Sequence, residues 1–592
     1  MYYSEKLWFS GRFKSASNLI NHSLINQYQE DVTMKQLFYG FIVVAILCSL
    51  PALSFSADRI VNIAPSTATT LVYVDAVIAA DSVGRGTADN TTYVLSRDGV
   101  YYANSYINNV GWTLRMRSSY GKLSGSGASR SGYPALIFLK VGSSGTTVQP
   151  QLVLVAGNVS ISNLEICGYD ESVTPTAIGT MNGWLMITSA AGFNIVVDSC
   201  VITNFDQAIL RTVSACSVVK VTNSIFANVG YVGNADIGNG RAIDLRNGSC
   251  DSLILVNNTF LNNDDRVIRH YSSTAPIRYA KIDHNTFVNS MSFHGLLSFG
   301  YTQGLFSITN NLFVNPWALG NDTDVTRQAE MGDNNENDAY GHARMTIVNA
   351  KPDTVGQAVP TTWTFKNNYY RITPTLQTWW TNAGASPALT LPPALPWHIS
   401  KKVGTDSTNG FQATTVDLTK VPAVMTALMT WYRSPSGGNK TKANGSWTLA
   451  NDFNRVSYGY LTDTLDCTYP ISASIYTAAT GGQPVGSLMW WGKTVGVTKS
   501  INSVPTGYAL AQNYPNPFNP TTNFTYEISK AGFVSIKIYD ILGREVATLV
   551  NEVKQAGSFA ATWNAINAGS GIYFCKMQSG SFTATKKMIL MK

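Results

Sequence analysis

Apolar and polar positions in the middle of the chain repeat in a six-residue pattern, with apolar first and last positions and an asparagine third. Five copies keep the asparagine and two carry another residue there. The third positions are Asn163, Ser199, Asn223, Asn257, His284, Asn310 and Asn367. They lie 36, 24, 34, 27, 26 and 57 residues apart. The shortest spacings are typical of one turn of a parallel β-helix, and the longer ones indicate turns with loop insertions.

Such a coil places the strands of each turn above those of the turn below, ~4.8 Å apart. Apolar residues that point inward then stack into a core. An inward asparagine at a bend can hydrogen-bond its neighbours in the turns above and below, so the repeat also predicts an asparagine ladder. The alternative is an ordinary β-sandwich in which the Asn-Asn pairs mark unrelated turns.

The repeat resembles right-handed parallel β-helix proteins, a family rich in polysaccharide lyases and hydrolases. The resemblance covers about residues 70–372. The segments Tyr93–Tyr102 and Trp112–Arg117 fit its opening turns, because their residues alternate and Asp98-Gly99 forms a turn signal. The resemblance implies an all-β fold whose main body is a coil.

The end of the chain has a second alternating pattern, with Gly and Pro turns between short strands. This pattern predicts a small antiparallel β-sandwich. Its segments Leu510–Pro520, Val534–Val546, Gly571–Phe574 and Thr585–Leu590 resemble, in order, the C-terminal sorting domain of type IX secretion. The resemblance implies export to the cell surface or secretion, with the secretion machinery as a partner. The alternative is a sandwich that serves as a carbohydrate-binding module.

The N-terminal region carries the features of an export signal. Lys35 supplies a positive charge, Phe41–Leu50 form a ten-residue apolar run, and small residues precede Asp58. Because the run is too short to span ~30 Å of hydrocarbon, a signal peptide is favoured over a membrane anchor. Met34 is then the expected start of translation, and no other stretch is suited to crossing a membrane.

These patterns predict six regions along the chain. They are a mis-assigned upstream extension (1–33), a signal peptide (34–57), a parallel β-helix (58–372), an irregular cap or accessory region (373–500), a linker (501–507) and the sorting domain (508–592). Within the accessory region, Pro422–Tyr432 is expected to form one short helix, since proline is tolerated in the first turn.

The charge composition of the chain indicates which kinds of polymer it can bind. Charged residues make up 13% of the chain, about half of the usual ~25%, and the formal net charge is +7. This mild basic bias suits an acidic polysaccharide. The chain has no Lys/Arg-rich run of the kind that binds nucleic acid.

Six cysteines remain after the signal peptide, and none has zinc-site spacing. Cys216 and Cys250 each lie seven residues before a ladder asparagine, so we expect them to stack on adjacent turns. A separation of ~4.8 Å suits a disulfide, which an exported protein can form. The alternative is a pair of reduced, packed thiols.

A candidate site follows from the strand after each repeat. Aligning Gln207–Leu210, Arg241–Asp244, Arg266–Arg269 and Gly295–Ser298 places Ile209, Ile243, Ile268 and Leu297 in one column. The same alignment stacks Arg241 on Arg266, and Asp244 on Arg269. We expect an exposed patch that binds the carboxylates of an acidic sugar chain through arginine forks. The alternative is a set of surface salt bridges.

The stretch Asn257–Phe260 followed by Val267–His270 resembles the part of chondroitinase B and alginate lyases that carries their catalytic arginine. The resemblance implies that Arg269 is a proton donor and that its neighbour His270 contacts substrate. Those enzymes place a lysine base one turn earlier, where this chain has Arg246, a poor base because it stays protonated. Lys281 and His284 are the remaining candidates for the base. His284 also fits a plain role in the ladder.

A cofactor is not expected, with one exception. The loop from Asp322 to Asp338 contains six acidic residues, and oxygen-rich loops can bind Ca²⁺. Its spacing is not that of an EF-hand, and a solvated loop is the alternative.

The sequence leaves two functions open. One is an exported protein that binds, and in the lyase case cleaves, an acidic polysaccharide. The other is a non-catalytic surface adhesin or structural protein.

Overall fold

The structure is a computed structural model of the 592-residue chain. It describes residues 59–82, 91–119, 134–139, 151–168, 183–205, 207–230, 240–246, 248–270, 275–291, 295–320, 347–350, 361–385, 410–434, 465–493, 508–510, 512–513, 516–528, 532–554 and 557–591. The predicted upstream extension, signal peptide and linker lie outside these ranges, as does the acidic loop 322–338. Among the helices of the described residues, none has the length and apolar character needed to cross a membrane.

The main body is a parallel β-helix, as the repeat predicts, and the β-sandwich alternative is wrong for it. The chain passes through three parallel sheets in a fixed order, turn after turn. In stacking order, the first sheet contains Arg59–Ile63, Thr91–Leu95, Leu114–Ser118, Val159–Ser162, Asn194–Asp198, Cys216–Thr222, Cys250–Val256, Ile277–Asp283, Thr302–Thr309 and Thr361–Lys366. The second contains Val100–Ala103, Ala135–Leu139, Leu164–Cys167, Val201–Phe205, Ile225–Val229, Thr259–Asn263, Thr286–Ser290, Leu312–Val314, Asn368–Arg371 and Phe411–Ala413. The third contains Ile107–Asn108, Gln151–Val155, Trp184–Thr188, Ala208–Thr212, Arg241–Leu245, Ile268–His270, Leu297–Phe299 and Val348–Ala350.

The core runs along the inside of the coil and is built from equivalent residues of successive turns. The sixth position of the repeat gives its clearest column, in which consecutive phenyl rings stack with centroids 5.0, 5.2 and 4.8 Å apart. These rings belong to Phe226, Phe260, Phe287 and Phe313. The separation follows the strand spacing, so a strictly repeated side chain is also strictly stacked.

The third position of the repeat forms the sharp corner between the first and second sheets. All seven corner residues have a left-handed backbone, with φ between 52° and 62°. Asparagine and histidine tolerate this conformation better than β-branched residues do, which explains the pattern. Corner side chains bond each other: Asn257 donates to Asn223 at 2.6 Å, and Asn367 donates to Asn310 at 3.2 Å.

The innermost ladder lies one residue further on than predicted. Asn258, Asn285, Asn311 and Asn368 are fully buried, and each amide donates to the next, at 2.9–3.0 Å. Each amide oxygen also accepts from a backbone N–H of the preceding turn, as Asn285 Oδ1 does from Asn258 N at 2.9 Å. Because the corner residue itself is left-handed, the side chain that points inward is that of the following residue.

A second asparagine ladder was not predicted. It lies five residues after five of the seven corners, within the second-sheet strands or directly after them, and its members again have a left-handed backbone. Four side-chain hydrogen bonds of 2.9–3.5 Å connect Asn204, Asn228, Asn262, Asn289 and Asn315. The recurring five-residue offset from the corner was the signal in the sequence.

Helices close both ends of the coil. Near its first turn, Val74–Ala80 buries Val74 and Ile78 against the core. At the other end, Pro374–Ala383 and Thr426–Arg433 bury apolar side chains in the same core. The predicted helix is therefore confirmed, but it starts at Thr426 because the carbonyl of Pro422 accepts from Asn289 instead of a helical N–H.

The accessory region packs on the coil. Residues 465–493, here called the cover segment, lie on the outer face of the second sheet and contain the short 3₁₀ helices Ser474–Tyr476 and Leu488–Trp491. Its backbone and side chains bond corner residues: Ser487 and Met489 donate to Asn257, and Thr480 donates to Asn310. Gly486 is required at this contact, since its φ is 91° and a Cβ would lie 2.6 Å from Thr286 Oγ1.

The C-terminal domain is the predicted antiparallel sandwich. One sheet contains Ala509–Leu510, Thr521–Ile528 and Gly557–Asn564, and the other contains Glu545–Lys554, Gly532–Tyr539, Gly571–Ser579 and Phe582–Leu590. Inward residues of both sheets form one apolar core, separate from that of the coil.

Candidate functional site

The third sheet brings the predicted arginines and carboxylate together. Asp244 pairs in register with Arg269, and Ile243 with Ile268, as expected. The alignment of the preceding turn was wrong by one residue, because Leu210 and not Ile209 pairs with Ile243. The correct register puts a further arginine, Arg211, beside Asp244.

Asp244 and Arg269 form a bidentate ion pair. Arg269 Nε lies 2.7 Å from Asp244 Oδ1, and Nη2 lies 2.8 Å from Oδ2. Arg211 Nε approaches the same carboxylate at 3.9 Å, while its guanidinium lies 5.0 Å from the ring centroid of Trp184. Burial by itself would raise the pKa of Asp244, but the charges of Arg269 and Arg241 outweigh it and keep that pKa below its usual value.

A second group of charges lies beside this pair. Arg266 donates from Nε to Asp265 at 3.0 Å and from Nη1 to Ser298 Oγ at 3.1 Å. Arg241 Nε lies 3.7 Å from the same Asp265 carboxylate. Burial, together with the nearby charge of Arg269, lowers the pKa of Arg241 to about 9, although it remains a cation at neutral pH.

The predicted exposed patch is wrong, because these side chains are internal. Arg241 and Arg269 are 5% exposed, Arg266 is 2% exposed and Asp244 is 1% exposed. Sequence alternation indicated which side chains leave the apolar core, but not that further groups would enclose them. The alternative of salt bridges is correct about the ion pairs, but these pairs are buried and do not lie at the surface.

The other predicted site residues do not join the ion pair of Arg269. His270 follows Arg269 in the same strand but is 3% exposed, and its Nε2 lies 3.1 Å from the carbonyl oxygen of Ala275. Lys281 belongs to the first sheet, and His284 is a corner residue, so neither is brought to the third-sheet strand of Arg269.

Lys281 and His284 share a different partner, Asp283. Its carboxylate lies 3.4 Å from Lys281 Nζ and 3.0 Å from His284 Nδ1. Burial would raise the pKa of Asp283, but the hydrogen bond and charge of His284 and the charge of Lys281 lower it to about 2. His284 is therefore a bonded member of the corner column, which is the plainer of its two predicted roles.

Cys216 and Cys250 lie directly opposite each other on adjacent first-sheet strands, as their spacing predicts. Both are buried free thiols in the structure. Burial raises the pKa of Cys216 to about 12, and it raises the pKa of Cys250 well above its usual value, with a contribution from Cys216. The register supports the predicted disulfide, while the reduced pair is the state that the structure contains.

We expect the exported protein to contain the Cys216–Cys250 bridge, and reduction to lower its free energy of unfolding by about 3 kcal/mol. Alkylation of the mature chain in denaturant without reductant should leave both thiols unlabelled. Cys200, which is equally buried and bonds the Asp198 carbonyl, is the matched control and should be labelled in full. Full labelling of Cys216 and Cys250 would exclude the bridge.

The outer face of the first sheet is a feature that the sequence pattern did not predict. Eight strands, from Leu114–Ser118 to Thr361–Lys366, present a continuous surface about 34 Å long, at ~4.8 Å per strand. Its middle column contains Arg115, Ser160, Val196, Lys220, Ile254, Lys281, Ser307 and Thr364, all exposed or half-buried. The column beside it contains Arg117, Ser162, Asp198, Thr222, Val256, Asp283, Thr309 and Lys366. Five cations and two carboxylates therefore lie on these two columns.

No metal centre is found in the part of the chain that the structure describes, where no three His, Cys, Asp or Glu side chains are grouped to hold an ion. The predicted calcium loop lies outside the described residues and stays a prediction.

Comparison with known proteins identifies the end of the chain. Residues 512–591 match the family model described as a secretion system C-terminal sorting domain, which spans nearly the whole sandwich. No curated protein and no solved structure matches the chain. The C-terminal domain is therefore a type IX secretion sorting domain that engages the secretion machinery, and the chain is a parallel β-helix protein exported to the cell surface or secreted.

Proposed function

We propose that the coil of this exported protein binds an acidic polysaccharide and holds it without cleaving it. The observation that carries the proposal is the outer face of the first sheet, which is long, at least partly accessible along its middle column, and carries five cations on two columns. Arginine and lysine side chains pair with the carboxylates of acidic sugars. A rigid parallel sheet keeps the backbones of those residues at fixed positions, so binding costs the ordering of side chains but not of the backbone.

The second and third sheets also favour binding on the first sheet without cleavage. The cover segment occupies the outer face of the second sheet around Leu261 and Leu312. On the third sheet, the arginine that resembles a lyase residue is buried, and Asp244 accepts from both Nε and Nη2 of Arg269. A proton donor must reach its substrate directly, so this geometry favours holding over cleavage at Arg269.

Binding of the mature chain to immobilised alginate, pectate and chondroitin sulfate tests the proposal, with dextran as the neutral control. We expect retention on the acidic polymers only, and weaker retention as salt rises from 0.05 to about 0.5 M, because exposed charges are screened. Equal retention on dextran, or none on any acidic polymer, would contradict the proposal and leave an adhesin or structural role.

The absorbance of unsaturated uronate separates holding from cleavage. We expect no product from any of the three acidic polymers during prolonged incubation. Product that forms with the wild-type chain and is lost in Arg269→Lys would establish the lyase alternative instead.

A further inference from the structure

We infer that the bound polymer runs along the axis of the coil, across the first-sheet strands, on the column that contains Arg115, Lys220 and Lys281. We infer also its class, a linear polysaccharide in which acidic sugars are separated by neutral ones. The inference rests on the proposed function and specifies its site.

The spacing of the cations gives the direction and the period. Lys220 and Lys281 are two strands apart in register, which is about 10 Å, the reach of two sugar rings of an extended chain. Arg115 and Lys220 are three strands apart, about 14 Å. A chain that crossed the column at a right angle would meet one of these cations, whereas a chain along the axis meets all three over about 24 Å.

The column itself contains no carboxylate, so an acidic chain placed on it meets attraction without direct repulsion. The two carboxylates of the neighbouring column already have partners. Asp198 accepts from Thr222 at 2.5 Å and from Asn223 at 2.7 Å. Asp283 lies 3.4 Å from Lys281, and the side chain of that lysine is 19% exposed at the surface.

Apolar side chains between the cations suit the neutral sugars. Val196 and Ile254 stand in the column itself, and Val218, Tyr279 and Leu305 stand in register in the column beside it. Leu305 is 45% exposed and therefore accessible to a ligand on this face. The C–H faces of sugar rings pack on such side chains, whereas their hydroxyl groups bond the Ser and Thr between them.

The same spacing disfavours nucleic acid, the other common polyanion. Double-stranded DNA carries one charge per ~1.7 Å of axis and a single strand one per ~3.4 Å. Three cations over about 24 Å would leave most of those phosphates without a partner. A polysaccharide with an acid on alternate sugars has charges about as far apart as Lys220 and Lys281.

The test uses the mature full-length chain with Arg115→Gln, Lys220→Gln, Lys281→Gln and the triple variant. Lys420→Gln, an exposed lysine of the accessory region, is the matched control. The probes are hyaluronan, in which acidic and neutral sugars alternate, alginate, in which every sugar is acidic, and double-stranded DNA. We expect hyaluronan affinity to fall about two- to fivefold in each single variant and at least about tenfold in the triple variant, with the control unchanged.

Each of the other outcomes would contradict the proposed function, the proposed site or the proposed class of polymer. If the wild-type chain binds no acidic polysaccharide, both the proposed function and this inference are wrong. If it binds one but the triple variant binds equally well, the proposed function stands and the site is wrong. Tighter binding of alginate or DNA than of hyaluronan, at equal charge concentration, would overturn the inferred class of polymer.

Discussion

Replacing Asn285 by alanine should lower the free energy of unfolding of the coil by about 4 kcal/mol. Its amide oxygen accepts from both the backbone N–H and the side chain of Asn258, at 2.9 and 3.0 Å. Its amide nitrogen donates to the carbonyl of Leu255 at 2.8 Å and to Asn311 at 3.0 Å. Alanine would leave a buried backbone N–H and a buried carbonyl without these partners, each at a cost of ~1–3 kcal/mol.

Urea unfolding of the mature chain measures this loss. Asn194→Ala is the matched control, because the side chain of Asn194 is exposed at the start of a first-sheet strand, whereas that of Asn285 is buried. The control should stay within about 0.5 kcal/mol of the wild type. A loss below about 1 kcal/mol in Asn285→Ala would show that water replaces the amide and that the ladder does not stabilise the coil.

The second large effect is expected for Asp244→Asn, which should cost about 3–5 kcal/mol. The substitution keeps the shape of the side chain but leaves the guanidinium of Arg269 buried without its counter-charge. The double variant Asp244→Asn with Arg269→Gln removes both charges, so it should regain at least half of the loss. A double variant as unstable as the single one would mean that the shape of the pair, and not its charge, stabilises the third sheet.

The same pair makes stability depend on pH. The folded pKa of Asp244 lies below its unfolded value of ~3.9, so its contribution is fully present above that pH. The contribution is lost as the pH falls through the lower, folded pKa. Asp244→Asn should therefore show a flatter decline of stability below about pH 4 than the wild type, in urea titrations between pH 2 and 7.

The sequence by itself determined the fold class of this protein. Coiling follows from a corner that recurs in every turn, because a left-handed backbone selects asparagine there and the residues around the corner keep the same pattern while the loops between corners vary in length. The stacked phenylalanines and the adjacent position of Cys216 and Cys250 follow from their constant offsets to that corner, and the pairing of Asp244 with Arg269 follows from aligning the strand after it. The sorting domain could likewise be predicted, because its strands and turns are contiguous in the chain.

Tertiary structure decided which side chains are reachable. Residue alternation indicates whether a side chain leaves the apolar core, but it does not show what lies over it, so the arginines of the third sheet were predicted to be exposed. The register of Arg211 also required three dimensions, because the chain between two turns varies in length and shifts the alignment by one residue.

The outer face of the first sheet also could not be predicted from the sequence, although there the tertiary structure leaves side chains accessible instead of burying them. Arg115, Lys220 and Lys281 are far apart in the sequence, and each alone is an ordinary surface cation. They form one column only because strands two or three turns apart stack in register. Period and composition are local properties that the sequence carries, whereas burial and long-range register depend on every intervening segment and exist only in the folded coil.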